Sequence, residues 1–475
     1  MPEPEAKPAK LLRRLSLADS ILLLAGGIIG SGIFLTAQGI AAGTRYPWLF
    51  LALWGLGAAI TLLACFAFAE LGAMYPTAGG QYVFMREAYG DAVGFLYGWM
   101  YFTVSATGTM AALGVGFATY LGQAVPSLET QRAVLSIPQF HIGHWAPGPF
   151  AMTRGHLIAL VAIALQTLIN VFGVKKGAIL QNITTWAKFI AIGGFVVLGL
   201  AVGRGSWDHY AHAIPGKLTF GSMATAIGVA LIAVFWAYDG WVYITFVAGE
   251  VKEPQRTLPR TLIWGMTLVG TVYLLINAVY LYALPMPDIA AHEAVAQTAA
   301  VSMFSARVAP WLSLMVALSC FGAMAPCLMS GARVYYAMAE DGVFFRSLAK
   351  VHPRWHTPVT SLVLQAIWAS VLALSGQYDQ LFTYVMFMMV LSYVLTVAAL
   401  FVLRRKKPDV ERPYRCTGYP WLPGLYILLG GAWAINAAHE KSKETLIGTL
   451  IVLLGIPFYL YWKSRRKVAA AGSNS

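Results

Sequence analysis

The chain has 475 residues, of which 58% are hydrophobic and only 11% are charged. Soluble proteins carry about 25% charged residues, so this composition excludes a soluble globular protein of this length. The formal net charge of +13 would suit a partner such as nucleic acid, but the positions of the basic residues along the chain, described below, exclude that interpretation.

Apolar segments of about 20 residues, long enough to cross a bilayer, recur along the chain. They predict an all-α integral membrane protein with about twelve transmembrane helices. The segment 79–89, between the second and third spans, is too short and mixed to cross, and we expect it to lie along the membrane interface. The predicted spans are residues 17–42, 48–74, 92–121, 156–172, 178–202, 222–248, 258–284, 310–338, 357–375, 381–403, 421–438 and 446–462.

Basic residues are distributed unequally between the two sides of the predicted bundle. Those on the side of both termini outnumber the others by nearly three to one, with clusters in segments 7–14, 252–260, 346–354, 404–415 and 463–467. This bias places both termini in the cytoplasm, where the excess charge faces anionic lipid headgroups and requires no nucleic acid. No cleavable signal pattern precedes the first span. We therefore expect a multi-pass protein of the plasma (inner) membrane.

The first span contains the glycine-rich stretch AGGIIGSGIF, residues 25–34. Each glycine destabilises a helix interior by about 1 kcal/mol relative to alanine. The stretch predicts an interruption, after which a second half-helix begins near Ser31 and presents unpaired N–H groups as an anion site. The alternative is close helix packing through Gly26 and Gly30, although Gly32 lies outside what such a packing motif needs.

Span six carries FWAYDGW at residues 235–241. An aspartate beside a glycine in an apolar segment is unfavourable unless it faces a cavity or a partner. The motif predicts a second interruption, which leaves the carbonyls of Phe235, Trp236 and Ala237 free to accept from an ammonium group. The alternative is a tolerated kink in which Asp239 is hydrogen-bonded locally.

The two interruptions lie five spans apart. Corresponding breaks in two halves of a membrane protein indicate inverted repeats, with a binding site at their interface. An anion site on one break and carbonyl acceptors on the other match a zwitterion. The patterns therefore predict an amino acid as the bound small molecule.

Lys188 lies near the middle of span five, about ten residues from either end. A lysine at that depth must pair, lose its proton or face a wet cavity. It could supply the positive charge that a coupling sodium ion supplies elsewhere, or carry a coupling proton; a purely structural charge is the alternative. Glu70, Glu250 and Arg333 lie toward the cytoplasmic ends of their spans, where structural pairing is favoured over a cytoplasmic gate.

Two rival classes are weighed against a transporter. A membrane-embedded enzyme should show catalytic groups inside the membrane, but the nine histidines lie in loops or near span ends, and the four cysteines lack metal-ligand or disulfide spacing. We therefore expect no enzyme activity, no metal and no cofactor. A non-transporting sensor should carry a soluble signalling domain, for which the short tails leave no room.

The motifs resemble the amino acid–polyamine–organocation (APC) superfamily. GIIGSGIF at 27–34 resembles its first broken helix, and AELG at 69–72 resembles its second-span signature. WAYDGW at 236–241, followed by EVKEPQRTLPR at 250–260, resembles the L-type amino acid transporter branch, and RVYYAMAEDG at 333–342 is similar to its eighth span. The resemblance covers nearly the whole chain, with the motifs in the expected order.

This resemblance implies a LeuT-like five-plus-five inverted repeat with broken helices 1 and 6 and two further helices. It implies that the substrate carboxylate meets the backbone at residues 30–32, and that the amino group meets the carbonyls of Ile28 and Trp236. Trp236 would also be the extracellular-side gate, and Lys188 would occupy the sodium position of sodium-independent members. The predicted substrate-binding residues are Ile28, Gly30, Ser31, Gly32, Ile33, Phe235, Trp236, Ala237 and Asp239, and the predicted coupling or gating residues are Lys188 and Trp236.

Two departures from the family pattern concern side-chain contacts and partners. Many members have asparagine in span eight where this chain has Ala325, followed by Pro326, so the contacts of that asparagine are not carried over. Animal members link to a glycoprotein subunit through a cysteine in the loop between spans three and four, and residues 122–153 contain none. We therefore predict no disulfide-linked heavy subunit; the chain looks like a self-sufficient prokaryotic protein, and a monomer is compatible with it.

The expected function is sodium-independent exchange of neutral L-amino acids by alternating access. A proton-coupled amino acid symporter stays open, as does a transporter of cationic amino acids, because of Asp239. The predicted organisation is a cytoplasmic N-terminal tail at 1–16, a ten-helix inverted-repeat transport core at 17–403, a basic cytoplasmic loop at 404–420, two additional transmembrane helices at 421–462 and a cytoplasmic C-terminal tail at 463–475.

Overall fold

The computed structural model describes residues 10–137, 150–216, 219–375, 378–440 and 442–472, so the first nine and last three residues of the predicted tails lie outside the described ranges. Within these ranges the chain is almost entirely α-helical. The helices, numbered α1 to α20 in chain order, are Leu17–Ile28, Gly32–Leu35, Ala37–Thr44, Pro47–Met74, Gln81–Tyr89, Asp91–Met100, Ala106–Ala124, Arg154–Val171, Val174–Val202, Phe220–Tyr238, Tyr243–Phe246, Pro254–Ala283, Met286–Ala291, Val295–Met303, Ala309–Glu340, Val359–Ser375, Tyr378–Lys406, Trp421–Glu440, Ser442–Leu453 and Gly455–Gly472. A π-helical turn, Tyr101–Ser105, joins α6 to α7.

Local sequence signals set several helix ends. Ser16 caps α1 through a reciprocal pair of hydrogen bonds with Asp19, in which each side chain accepts from the other residue's N–H; this capping box satisfies two N–H groups at the helix start. Pro47 and Pro254 occupy the first positions of α4 and α12. Proline is tolerated there because an N–H at the first position of a helix would have no acceptor within the helix. Gly90, with φ of 97°, separates α5 from α6.

Ten helical segments in the described part of the chain are long and apolar enough to cross a membrane. They correspond to ten of the twelve predicted spans. The ninth and eleventh predicted spans correspond to Val359–Ser375, which is shorter, and Trp421–Glu440. The all-α membrane architecture with breaks in spans one and six is therefore confirmed, while the count of twelve and the inverted repeat stay predictions.

The loop between spans three and four contains a small β-hairpin that the sequence pattern does not reveal. Strand β1, Ala133–Ile137, pairs antiparallel with β2, Phe150–Thr153. Both strands are too short to show a clear alternation of polar and apolar residues. Residues 138–149, between the strands, lie outside the described ranges.

The two broken spans come together inside the bundle at their breaks, although only 22% of the apolar window of Gly221–Tyr238 is buried. Helix α1 packs against α9, α12 and α15, and α10 packs against α3 and α4. The rings of Trp54, Tyr238 and Tyr273 lie together, with centroids 5.0 to 6.1 Å apart. The hydroxyl of Tyr238 donates to the carbonyl of Trp54 at 3.0 Å. This aromatic cluster fixes the last turn of α10 against spans two and seven.

The predicted basic loop, residues 404–420, packs back onto the bundle around the carboxylate of Glu70, which is fully buried. Arg404 binds that carboxylate at 2.6 Å, Arg412 pairs with it at 3.2 Å, and the N–H of Cys416 donates to it at 2.6 Å. A buried charge persists only when it is paired and hydrogen-bonded. The structural pairing favoured for Glu70 is therefore confirmed.

Candidate functional site

The first break lies between α1, which ends at Ile28, and α2, which begins at Gly32 with Ser31 as its N-cap. The first N–H groups of a helix have no acceptor within that helix. Among the described residues, the N–H groups of Ser31, Gly32 and Ile33 have no hydrogen-bond partner. Three consecutive donors therefore point out of the break and are available to an anion.

The second break lies between α10, which ends at Tyr238, and α11, which begins at Tyr243. Gly240 adopts φ of 103°, a conformation that other residues rarely adopt. A Cβ atom on Gly240 would lie 2.8 Å from the carbonyl oxygen of Gly27, and one on Gly32 would lie 2.8 Å from the Cα of Ala237. The two breaks are therefore in backbone contact with each other.

Close packing explains some glycines of the first break but not Gly30. A Cβ on Gly26 would lie 1.8 Å from the amide nitrogen of Gln181 on span five, so this glycine admits a neighbouring helix. Gly30 has only ordinary van der Waals neighbours, the closest being Leu113 at 3.5 Å. The packing alternative, which needs both Gly26 and Gly30, thus accounts for Gly26 only. Gly27 and Gly32 admit the second broken span instead, since an added Cβ would lie 2.9 Å from the ring of Tyr243 and 2.8 Å from the Cα of Ala237.

A cavity of about 40 Å³ lies where the two breaks meet span three. That volume has room for a few water molecules, so the cavity is nearly closed in this structure. Six of the predicted substrate-binding residues line it, together with residues from span three. The lining residues are Gly27, Ile28, Gly30, Ser31, Gly32, Thr109, Ala112, Leu113, Trp236, Asp239 and Tyr243.

Three predicted substrate-binding residues do not line this cavity. Ile33 and Ala237 are buried in the core, and Phe235 lines a neighbouring cavity instead. Two of the span-six carbonyls predicted to be available already accept one hydrogen bond: that of Trp236 accepts from the N–H of Asp239 at 3.0 Å, and that of Ala237 lies 3.1 Å from the hydroxyl of Tyr273. Buried carbonyls are rarely left unpaired, and the fold supplies donors at the break.

Lys188 lies beneath the first break and is only 2% exposed. Its ammonium group donates to the carbonyl of Gly26 at 2.9 Å and to that of Ile29 at 2.6 Å. These carbonyls belong to the last turn of α1, the negative end of its dipole, where a cation is stabilising. The structure therefore places the lysine charge at the carbonyl end of the first half-helix.

Two polar side chains that the sequence does not single out also contact the backbone at the first break. The Tyr273 hydroxyl lies within hydrogen-bonding distance of the carbonyls of Ile28 and Ala237. Ser319 on span eight donates to the carbonyl of Ile29 at 2.9 Å. A tyrosine or serine in an apolar helix is common, so nothing in the sequence distinguishes these two. Ser319 thus provides a side-chain contact from span eight to the first broken helix.

Asp239 lies between two cavities. One is the cavity of the two breaks, and the other lies between spans two, six and ten. Its carboxylate accepts a hydrogen bond of 2.5 Å from the hydroxyl of Tyr393. Among the described residues Asp239 has no basic partner, so the carboxylate is the acidic group on the cavity wall.

Glu250 and Arg333 form an ion pair at the predicted cytoplasmic end of the site. Their side chains are 0% and 1% exposed, and two guanidinium nitrogens donate to the carboxylate at 2.6 and 3.1 Å. The carbonyl of Glu250 also accepts from the N–H groups of Arg14 and Leu15, at 2.8 and 2.9 Å. The two residues are therefore paired, and the pair joins span six to span eight.

Comparison with known proteins identifies the family of this chain. The model of a family described as amino acid permease matches residues 15–456, which include both breaks, Lys188 and the Glu250–Arg333 pair. The chain belongs to the amino acid permease family. Because this is a family of transporters, a catalytic role for the site has no support.

Individual relatives agree with the permease assignment over nearly the full chain. The serine/threonine exchanger SteT of Bacillus subtilis is 29% identical over 464 residues, covering 96% of this chain and 98% of that protein. The b(0,+)-type amino acid transporter 1 of Mus musculus is 28% identical over 469 residues, covering 97% of this chain and 90% of that protein. The large neutral amino acids transporter small subunit 2 of Homo sapiens is 28% identical over 469 residues, covering 96% of this chain and 82% of that protein. This permease therefore belongs to the L-type amino acid transporter branch of the APC superfamily, as its motifs indicate.

Proposed function

We propose that this permease is a sodium-independent exchanger of neutral L-amino acids that works by alternating access. The observation that carries the proposal is the convergence of the two breaks on one cavity, with unpaired N–H groups on one wall and carbonyls on the other. Preorganised backbone dipoles of opposite sense suit a zwitterion, because each end of the substrate meets the matching end of a half-helix.

The substrate carboxylate would bind at the N–H groups of Ser31 and Gly32, next to Gly30. The ammonium group would bind the carbonyls of Ile28 and Trp236. Each carbonyl has two lone pairs. The Ile28 carbonyl already accepts from the hydroxyl of Tyr273 and, at 2.7 Å, from the N–H of Gly30, so the substrate ammonium group would replace one of these donors. Trp236, half-buried on the cavity wall, would close the site on the extracellular side.

Independence from sodium rests on Lys188. Its ammonium group already satisfies the carbonyls of Gly26 and Ile29, the kind of oxygen ligands that a sodium ion would need at a half-helix end. Because a fixed charge occupies this position, the transporter would not need a coupling cation to hold the break in shape. A proton on Lys188 is the basis of the alternative, proton-coupled symport.

Neutral substrates with short side chains fit the site best. Beyond the two breaks, the cavity is lined by Thr109, Ala112 and Leu113 of span three, which offer little polarity. SteT, named as an exchanger of serine and threonine, has substrates of this size. Asp239 favours a second candidate, the transport of cationic amino acids, because its carboxylate lies on the same wall.

Uptake of radiolabelled amino acids into liposomes tests the proposal. Vesicles preloaded with serine, threonine, leucine, arginine or no amino acid are compared, with sodium replaced by potassium and with pH varied. We expect uptake that requires an internal neutral amino acid and is unchanged by sodium. Equal uptake into empty vesicles would contradict exchange, and a dependence on a proton gradient would favour symport.

The Asp239→Asn variant separates neutral from cationic specificity. If the carboxylate recognises a cationic side chain, the variant loses competition by arginine and lysine but keeps that by serine and threonine. Unchanged competition by arginine and lysine in Asp239→Asn rules out the cationic version.

We further propose that the chain lies in the plasma membrane with both termini in the cytoplasm and acts without a disulfide-linked subunit. The distribution of basic residues supports the orientation. The four cysteines are buried as free thiols, which supports the absence of a disulfide to another chain. Migration of the purified protein with and without a reducing agent tests this.

A further inference from the structure

A groove of about 810 Å³ lies apart from the substrate site, where α20 meets the turn that follows α15. Its lining includes Phe345 and Arg346 from the turn, and Tyr461, Ser464 and Arg465 from α20. We call it the α20 groove. It lies at the predicted cytoplasmic end of the last span, far in sequence from both breaks.

The α20 groove carries unpaired positive charge. Arg466, at its edge, pairs with Asp91 at 3.0 Å. In the part of the chain that the structure describes, Arg346 and Arg465 have no acidic partner. The guanidinium of Arg465 lies 4.9 Å from the ring centroid of Tyr461, a cation–π contact that orients it without neutralising it.

The other wall of the α20 groove is apolar and continues onto the outer surface of the bundle. Phe345 is 53% exposed, and its ring lies 5.2 Å from that of Trp462. Leu460 and Phe458, on the same helix as Trp462, are also exposed. Only 17% of the apolar window in Thr445–Arg466 is buried inside the protein, so this span presents most of its surface to the acyl chains.

We propose that the α20 groove binds an anionic phospholipid. Its phosphate would be held by the guanidinium groups of Arg346 and Arg465, which suit phosphate oxygens, while its acyl chains would lie along Phe345 and Leu460. Basic pockets at the cytoplasmic face of transmembrane helices bind such headgroups. Because the apolar wall continues onto the lipid-facing surface, the ligand is a membrane lipid rather than a soluble phosphate compound.

Lipid binding to the purified full chain tests this site independently of transport. Phosphatidylglycerol and phosphatidylcholine are titrated onto detergent-solubilised protein, and bound lipid is counted by native mass spectrometry. The test variant is Arg346→Gln with Arg465→Gln. The matched control is Arg256→Gln with Arg260→Gln, which removes the same charge from two exposed arginines outside the groove.

The wild type should bind phosphatidylglycerol in preference to phosphatidylcholine. The groove variant should bind phosphatidylglycerol about thirtyfold more weakly, since each of the two basic residues contributes about 1 kcal/mol to an anionic lipid contact, while the control keeps most of the affinity. An equal loss in the control would overturn the proposal, because it would show a general charge effect. The proposal would also be overturned if inorganic phosphate or glycerol phosphate displaced bound phosphatidylglycerol as effectively as added phospholipid does. Unaltered melting temperatures in phosphatidylcholine micelles would show that both variants are folded.

Discussion

The hydroxyl of Tyr273 lies 3.0 Å from the carbonyl oxygen of Ile28, where the first broken helix stops. The same hydroxyl lies 3.1 Å from the carbonyl of Ala237, at the second break. One side chain on span seven therefore holds both interruptions at a fixed separation. The distance between the two ends of the proposed zwitterion site depends on this contact.

We expect Tyr273→Phe to raise the KM for the amino acid several-fold. Removing the hydroxyl takes away the single donor that lies between the carbonyls of Ile28 and Ala237, and a buried acceptor that loses its donor costs about 1–3 kcal/mol. Tyr280→Phe is the matched control, because the Tyr280 hydroxyl lies on the same helix, is buried and has no hydrogen-bond partner among the described residues. Uptake kinetics in liposomes check the prediction, and equal KM values for the two variants would contradict it.

Lys188→Ala should reduce transport to background while the protein remains folded. The change removes the donor to the carbonyls of Gly26 and Ile29, but it also removes the desolvation penalty of a buried charge. Uptake and size-exclusion profiles are measured together, with Lys188→Met as the variant that keeps the side-chain length. Near-normal uptake in Lys188→Ala would refute a coupling role, and recovery of uptake by added sodium would show that the charge itself is needed.

Gly32→Ala should strongly impair transport, because its Cβ would lie 2.8 Å from the Cα of Ala237. That neighbour is backbone and cannot move aside without separating the two breaks; overpacking of this kind destabilises by about 1–3 kcal/mol. Gly43→Ala is the control: it lies further along the same span with nothing within 4 Å of an added Cβ, and alanine stabilises a helix relative to glycine by about 0.5–1 kcal/mol. Melting temperature and uptake are compared, and a Gly32→Ala protein with wild-type uptake would exclude close contact of the breaks during transport.

Breaking the Glu250–Arg333 pair should destabilise the protein far more than breaking an exposed pair. Glu250→Gln leaves a buried arginine without its charge partner, which costs about 3–5 kcal/mol. Glu129→Gln removes the partner of Arg132 and Arg154; the side chains of Glu129 and Arg132 are 52% and 62% exposed, so solvent screens the pair and its loss should leave the stability almost unchanged. Thermal unfolding in detergent measures both.

A second variant distinguishes a structural pair from a gate. Glu250→Leu combined with Arg333→Met removes both charges and should recover most of the stability. If the pair also closes the cytoplasmic side, this double variant remains deficient in exchange. Full exchange activity in the stable double variant would show that the pair is structural only.

The ion pair between Glu87 and Lys407, outside the membrane spans, predicts a loss of stability in acid. Burial opposes ionisation of Glu87, but hydrogen bonds from Lys407 and Arg86 outweigh it and lower the pKa of Glu87 below its ordinary value of 4.5. A carboxyl group with a lowered pKa in the folded state stabilises it above the unfolded pKa and loses that contribution as pH falls through the folded pKa. We expect Glu87→Gln to lower the melting temperature at pH 7, and to have no effect at a pH well below 4. Each partner is partly exposed, so the contribution is at most about 1 kcal/mol.

The sequence predicts those features of the site that have a local cause. The glycine run of residues 26–32 and the Asp239-Gly240 pair are unfavourable in a helix, so both breaks are predictable from a few residues. Lys188 is predictable because a charge within an apolar span requires a partner. The branch of the superfamily also follows from these motifs.

The remaining features depend on contacts between distant segments. Tyr273 and Ser319 belong to residue types that are ordinary in membrane helices, and only the packing of spans seven and eight brings them to the first break. The hydroxyl of Tyr273 on span seven also lies close to the carbonyl of Ala237, and the local sequence of span six gives no sign of this contact. Ile33 has the right position in the chain but a side chain that points into the core.

The N-terminal segment is tied to span six by backbone hydrogen bonds, from Arg14 and Leu15 to Glu250 and from Lys252 to Leu15. These bonds depend on no side chain, so they hold the cytoplasmic ends of the two broken spans together whatever residues occupy the positions. Spectroscopic labels on Leu15 and Val251 should therefore keep a constant separation through the transport cycle. The distance between these two labels would then be a fixed reference against which the displacement of the other helices can be measured.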